Sequence, residues 1–345
     1  MGEVFYMRST LKDIARRAGC SVTTVSLVLN NKAHSIPDNT KKKVMDAVRE
    51  LEYRPNQLAV GLIKKQTKTI GLVISDVSNN FFATLTKGVE DECHSQGWNL
   101  ILCNTGDHHE REMEYIQTLD DKGADGIILC FAKEDDVKRV KETAGLLNQL
   151  GVPHVMVDRY VAEVEGYYVS VDHEKGGYLA GRYLTDMGHR KIGCITGPDN
   201  LEDSRARTAG FKQALEEAGV PYDPEYIYEG NYDITSGGQG TDYLMKKGVT
   251  AIFAYNELSA YGVYRQINQT GDRIPEDISV VGYDDVGFTD ILHPAMTSIR
   301  QPVYEMGRES VRQMISIIKE KSAERKKVQF EPELVIRQSV ADLRA

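Results

Sequence analysis

Residues 11–30 read LKDIARRAGCSVTTVSLVLN, and their pattern is that of two short helices around a tight turn. Ala15, Ala18, Val22, Val25 and Leu29 stand at spacings that let one face of each helix bury against the other. Gly19 sits where the chain must reverse without a side chain, and the Ser21 hydroxyl is placed to cap the second helix. That second helix then exposes Val22, Thr23, Thr24, Ser26, Leu27 and Asn30, which are mostly short and polar. This is the shape of a helix-turn-helix whose second helix enters a major groove. A plain helical hairpin has the same spacing, so the reading depends on what surrounds it.

Charge is the first discriminator. The opening 68 residues hold 13 Lys or Arg against 6 Asp or Glu, while the whole chain holds 42 against 51, which leaves 29 against 45 for the remainder. A basic head on an acidic body fits a phosphate-binding module attached to a partner domain that repels DNA. The following segment is the second discriminator. Ser35-Ile36-Pro37-Asp38 opens a third helix, from about Asn39 to Leu51, that sets Val44, Ala47, Val48 and Leu51 across the first two. After it, Pro55 can start a short helix that Gly61 weakens, so this stretch is marginal alone and suits a hinge that orders when held.

From Thr69 onward the rhythm changes. TIGLVI (69–74), NLILC (99–103), GIILC (126–130) and HVMVD (154–158) are short apolar runs separated by amphipathic helices, the pattern of a parallel sheet covered on both faces. The rhythm restarts after Tyr168 with KIGCIT (191–196), AIFAY (251–255) and ISVVGY (278–283). Two similar lobes are implied, with a ligand between them beyond the carboxyl ends of the strands. The five cysteines have no metal-ligand spacing, and an odd number without an export signal fits a reducing cytoplasm. His108-His109 lacks nearby thiols and reads as a polar loop before a helix, so neither metal nor cofactor is expected. No dinucleotide fingerprint, phosphate-loop lysine or nucleophile constellation is present, so nothing proposes a reaction.

Several ordered and unrelated motifs carry a resemblance along nearly the whole chain. LKDIARRAG with TTVS and VLNN, the hinge YRPNQLA before TKTIGLV, DVSN with FF, VDR, the Arg207–Phe211 segment, VGYDD and HPAMTSIRQP stand in the order typical of one family. The sequence resembles the lactose-repressor and galactose-repressor (LacI/GalR) family of bacterial transcription regulators. The resemblance implies a small all-α helix-turn-helix head (7–53), a hinge helix and linker (54–68), and an α/β two-lobed periplasmic-binding-protein-like core (69–340). The core would have two parallel sheets, with three crossings placing about 69–165 and 300–327 in the first lobe and about 166–299 and 328–340 in the second.

The resemblance also assigns roles. Val22, Thr23 and Leu27 would face base edges; many relatives have arginine where this chain has Leu27, which loses a bidentate guanine contact. Leu27 then meets a thymine methyl or packs against the hinge or third helix. Thr24, Ser26, Asn30 and Lys12 suit phosphate oxygens, which fix register without naming bases. Leu62 matches the hinge leucine that relatives wedge into the minor groove, and insertion from both sides presupposes a homodimer on near-palindromic double-stranded operator DNA. In the crevice the resemblance points to Phe81, Phe82, Asp158, Arg207, Tyr232, Asn256 and Asp284, with Asn80 replacing a common proline. Arg207 would clamp two neighbouring oxygens, and the polar set suits a polyhydroxylated small molecule. Phe81 and Phe82 can equally be core, Asp158 an interlobe ion pair, and Glu257 a helix cap. The expected protein is a cytoplasmic repressor governed by a sugar or sugar-derived effector, with no membrane partner; the alternative is a transport-type solute-binding protein, disfavoured by the basic head.

Overall fold

The computed structural model describes residues 9–53, 66–133, 137–159, 161, 164–320 and 327–344. The chain forms two compact units, Met1–Thr67 and Lys68–Ala345. Leu62 and the rest of the expected hinge from 54 to 65 lie outside the described residues.

In the first unit, helix α1 spans Leu11–Ala18, α2 Val22–Leu29 and α3 Asp38–Glu50. Thr10 and Asp13 cap α1 reciprocally, and Gly19 ends it at φ 65° in the left-handed region that glycine enters without strain. The Thr24 N–H donates to Ser21 Oγ at 3.1 Å, so the expected cap on α2 is present. Ile14, Ala15, Val25, Val28, Ala33, Val44 and Ala47 form the core, with Ala18 and Leu29 packed at its edge. Val22 departs from the expected core: it is 40% exposed, while Ile14 and Val28 fill the centre. A helix of two turns offers more than one apolar phase, and in α2 the buried residues are Val25 and Val28.

Among the described residues the second unit holds two six-stranded sheets. Strands β1 (Thr69–Ile74), β2 (Asn99–Asn104), β3 (Gly126–Leu129), β4 (His154–Val157), β5 (Tyr167–Val171) and β11 (Lys327–Phe330) make the first, in the order β11-β5-β4-β3-β1-β2. The second has the order β12-β10-β9-β8-β6-β7, from β6 (Ile192–Thr196), β7 (Ile227–Glu229), β8 (Ala251–Ala254), β9 (Ser279–Asp284), β10 (Thr297–Arg300) and β12 (Glu333–Val335). Helices α4 (Asn80–Ser95), α5 (His109–Asp121), α6 (Val137–Leu150) and α11 (Val303–Glu320) cover the first sheet. The second is covered by α7 (His173–Asp186), α8 (Glu202–Glu217), α9 (Ile234–Lys246) and α10 (Glu257–Thr270). Apolar side chains fill both faces of both sheets, which is why the strands read as continuous apolar runs. Among the described residues no helix is long and apolar enough to cross a membrane.

Two expectations about the lobes change. The first sheet runs past 165 to Val171 and past 327 to Phe330, because β5 pairs with β4 and β11 pairs with β5. Val169 and Val171 belong to the first lobe's core, so burial there decides where this segment goes. The second sheet is also not wholly parallel: β12 runs antiparallel to β10. The chain reaches β12 from β11 through a two-residue link, without the crossover that a parallel return requires.

Helices α7 and α8 approach backbone to backbone. A Cβ on Gly210 would lie 1.7 Å from the Glu174 carbonyl oxygen, and one on Gly177 would lie 2.0 Å from that of Arg207. Since backbone cannot step aside as a side chain does, Gly210→Ala should destabilise the core by about 3 kcal/mol. Urea unfolding followed by circular dichroism would measure it; a midpoint equal to wild type would mean that the two helices do not hold this spacing. The same contact fixes the turn of α8 that carries Arg207 toward the crevice.

Candidate functional site

The seven residues expected at an effector site converge on one crevice between the two sheets, beyond the carboxyl ends of their strands. Its free space, open mouth included, is about 370 Å³, toward the lower end of the range for small-molecule sites. Non-glycine residues at positive φ mark it: Asp158 at 69°, Tyr232 at 57° and Asp284 at 95°. Such backbone costs energy and persists where surrounding contacts hold it, which is common at binding sites.

On the first lobe, Phe81 and Phe82 meet edge to face at 5.2 Å and both belong to the lobe's core while lining the crevice. Asn79 caps α4 by accepting from the Phe81 N–H at 3.0 Å, and Asn80 occupies the first helical position, where a proline would also fit. Asp158 follows β4, with Cys130 Sγ 3.7 Å from Oδ2. Arg159 beside it turns into the lobe, donating to Ser75 Oγ at 2.9 Å and to Asp107 Oδ1 at 2.8 Å behind the Phe82 ring. Burial works against the Asp107 charge, but Arg159 prevails and holds its carboxyl down at about 2.

The second lobe supplies the rest. Arg207, on α8, is 3% exposed and stacks 4.0 Å from the Tyr283 ring centroid. Its Nε and Nη2 face His173 Nδ1 at 3.4 and 3.3 Å, and Nη1 donates to the Tyr255 carbonyl and toward Tyr232 Oη. Asp203, one turn earlier on the same helix, lies 3.6 Å from Nη2 and accepts the Tyr232 hydroxyl at 2.7 Å. The fork therefore has about one hydrogen left for a ligand, counting five donors on a guanidinium, rather than the two expected of a clamp. Burial, and then the Arg207 charge, push the His173 imidazole down to about 3, so it stays neutral and accepts at Nδ1.

Asn256 is only partly open to a ligand. Its Oδ1 caps α10 through the Ser259 N–H, and its Nδ2 donates to the Tyr232 carbonyl at 3.1 Å, holding that residue in its positive-φ turn. Asp284 accepts from Gln301 Nε2 at 2.7 Å and from the Glu257 N–H at 3.3 Å. Glu257 itself accepts from the backbone of Val286 and Gly287, so it pins that loop, while Asn256 is the cap. The ion pair considered for Asp158 forms instead within the second lobe, between Arg207 and Asp203. Burial, and next the Asp203 charge, raise the Asp158 carboxyl to about 7, whereas Arg207 keeps Asp203 below its ordinary value against the effect of burial.

Asn79, Asp203 and Gln301 also line the crevice and were not expected from the sequence. The Asp203–Arg207 spacing of four on one helix was a legible signal; Gln301 had none, because it reaches the site through the pairing of β10 with β9.

The expected DNA face lies on the head. Val22 and Thr23 are exposed in the first turn of α2, Thr24 and Ser26 are half-buried, and Lys12 projects from α1. Leu27 is half-buried but outside the apolar cluster of the head, so among the described residues the packing alternative gains no partner in α3. Asn30 ends the helix, exposed, with Nδ2 donating to the Ser26 carbonyl at 2.8 Å.

Residues 10–56 match the family described as bacterial regulatory proteins, lacI family, and residues 67–338 match periplasmic binding proteins and sugar binding domain of the LacI family. The HTH-type transcriptional repressor PurR of Vibrio parahaemolyticus serotype O3:K6 is 36% identical over 338 residues, covering 97% of this chain and 99% of that protein. The lac repressor dimer bound to operator and the anti-inducer ONPF is similar in structure, with a TM-score of 0.87 at 26% identity over 97% of this chain and 100% of that one. A LacI family regulator from Enterococcus faecium with bound ribose has a TM-score of 0.73 at 32% identity, over 80% of this chain and 100% of that one. Two family matches that span head and core, and a relative above one-third identity along nearly the whole length, agree with the geometry of each unit: the chain belongs to the LacI family of bacterial regulatory proteins.

Proposed function

We propose that the chain is a DNA-binding transcriptional repressor whose grip on a near-palindromic operator, as a homodimer in the cytoplasm, is set by a sugar or sugar-derived effector in the crevice. The observation that carries the effector class is the meeting of the Phe81 and Phe82 rings with Asp158, Arg207 and Asp284 across one small crevice. Ring faces suit the apolar side of a pyranose or furanose, and carboxylates and a guanidinium suit its hydroxyl edge. The ribose held by the Enterococcus faecium relative supports the same class. For the DNA side, the exposed short side chains of α2 suit a major groove, and the operator-bound lac repressor dimer supports the homodimer.

A ligand that binds the closed arrangement of the lobes more tightly than the open one shifts their equilibrium, and whatever changes operator affinity on sugar binding must change sugar affinity equally on operator binding. Fluorescence anisotropy of labelled promoter fragments, titrated with full-length protein in the presence of neutral monosaccharides and disaccharides, tests the reading. One sugar should shift operator affinity by about tenfold or more, within the ordinary range of coupling. A panel of nucleobases active where every sugar is silent would overturn the effector class.

A further inference from the structure

We infer that Asp203 sets the charge class of the effector: with Asp158 it forms an acid-lined end of the crevice that takes a hydroxyl hydrogen of an unphosphorylated, uncharged sugar and rejects sugar phosphates and sugar acids. The inference deepens the sugar-site reading above and rests on it.

Asp203 is 7% exposed and lines the crevice, yet its two oxygens differ. Oδ2 accepts the Tyr232 hydroxyl and faces Arg207, while Oδ1 is buried without a partner. A buried carboxylate oxygen left unmade is unfavourable, and a ligand hydroxyl that donates to it removes that penalty. Gln301 repeats the pattern: Nε2 is engaged by Asp284, and Oε1 is buried and unpartnered in the same crevice. Both open positions are acceptors. An oxyanion brings only more acceptors to them.

The charge balance points the same way. Asp158, Asp203 and Asp284 line the crevice with Arg159 and Arg207, and among the described residues Arg159 is already bonded to Asp107 behind the crevice wall. Arg207 in turn points most of its hydrogens into the wall, at His173, Tyr255 and Tyr232. The raised Asp158 carboxyl reports the same crowding, since the Asp203 charge is second only to burial among its causes. A phosphate placed here would be desolvated beside the Asp203 charge, which Arg207 holds ionised, with no free fork to hold it. A neutral hydroxyl incurs no such cost.

Isothermal titration of the full chain with D-ribose, D-glucose and a panel of other neutral sugars, each against its terminal phosphate and its acid, tests this. Wild type should bind a neutral sugar at least about 100-fold more tightly than the matching phosphate, a factor worth about 2.7 kcal/mol. Asp203→Asn presents an amide N–H where the ligand hydroxyl donates, so affinity for the neutral sugar should fall about tenfold or more and the gap to the phosphate should narrow. Asp203→Ser serves as the second variant if the amide disturbs the Tyr232 contact, with thermal melts confirming that each is folded. A phosphate bound as well as its parent sugar, or a folded Asp203→Asn with both affinities unchanged, would overturn the inference while leaving a sugar site intact. Failure of every sugar, charged or neutral, would instead remove the sugar-site reading itself.

Discussion

A chain beginning at Thr69 should lose specific operator binding altogether, a fall of roughly 1,000-fold or more, the usual margin of specific over non-specific affinity. The residues removed carry 13 Lys or Arg against 6 Asp or Glu, and those retained carry 29 against 45. What remains is an acidic body that phosphate repels. The head, in contrast, brings its own core around Ile14, Val25 and Val44 and its own caps at Thr10 and Ser21, so its recognition helix is shaped by residues within it. Anisotropy with promoter fragments at two salt concentrations would measure both proteins. Full-length binding should weaken steeply with salt, as phosphate contacts require, and the shortened chain should show no specific binding at either. Specific affinity retained without the head would place DNA recognition elsewhere.

The parts of this molecule legible in sequence are those decided locally. Ser21 and Gly19 announce the ends of their helices because a cap needs only a neighbouring N–H or a left-handed turn. TIGLVI and its counterparts announce strands because a strand buried on both faces must be apolar throughout. What was not legible was decided by pairing between distant segments. Tyr167–Val171 and Lys327–Phe330 extend the first sheet only because each finds the other beside β4, and neither carries a mark naming its lobe. Gln301 reaches the crevice because Arg300 registers with Asp284 on β9, a fact about strand alignment. The seven expected crevice residues were brought to one place through the resemblance, yet their bonds were not foreseeable from it. Asn256 holds Tyr232 and α10, and Arg207 faces His173 and the Tyr255 carbonyl, because a buried polar group takes whatever partner the surrounding turns present.

Those inward bonds determine what Arg207→Ala should do. The guanidinium is a positive charge among Asp158, Asp203 and Asp284, it stacks on Tyr283, and it fixes Asp203 and Tyr232 in place. Its removal leaves Asp203 buried without its cation and frees the ring that closes one side of the crevice. Effector affinity should fall by roughly 30-fold to 1,000-fold, on the order of 2–4 kcal/mol, through one lost charge-assisted bond and lost order of the crevice wall together. Stability should fall as well, by about 3 kcal/mol, because half of a buried ion pair has been deleted. Arg207→Lys separates the two effects: it keeps the charge near Asp203 but cannot make the planar set of bonds to His173, Tyr255 and Tyr232, so it should recover much of the stability and little of the affinity. Calorimetry with the sugar found by screening, thermal melts, and operator anisotropy without effector, all at equal protein concentration, would resolve the three quantities. Operator affinity should change little in either variant, because the helix-turn-helix belongs to the other unit of the chain. The expected regulator therefore grips its DNA and no longer responds to its signal. Equal sugar affinity in wild type and in a folded Arg207→Ala would remove this side chain from the effector site, and with it the charge balance on which the crevice reading depends.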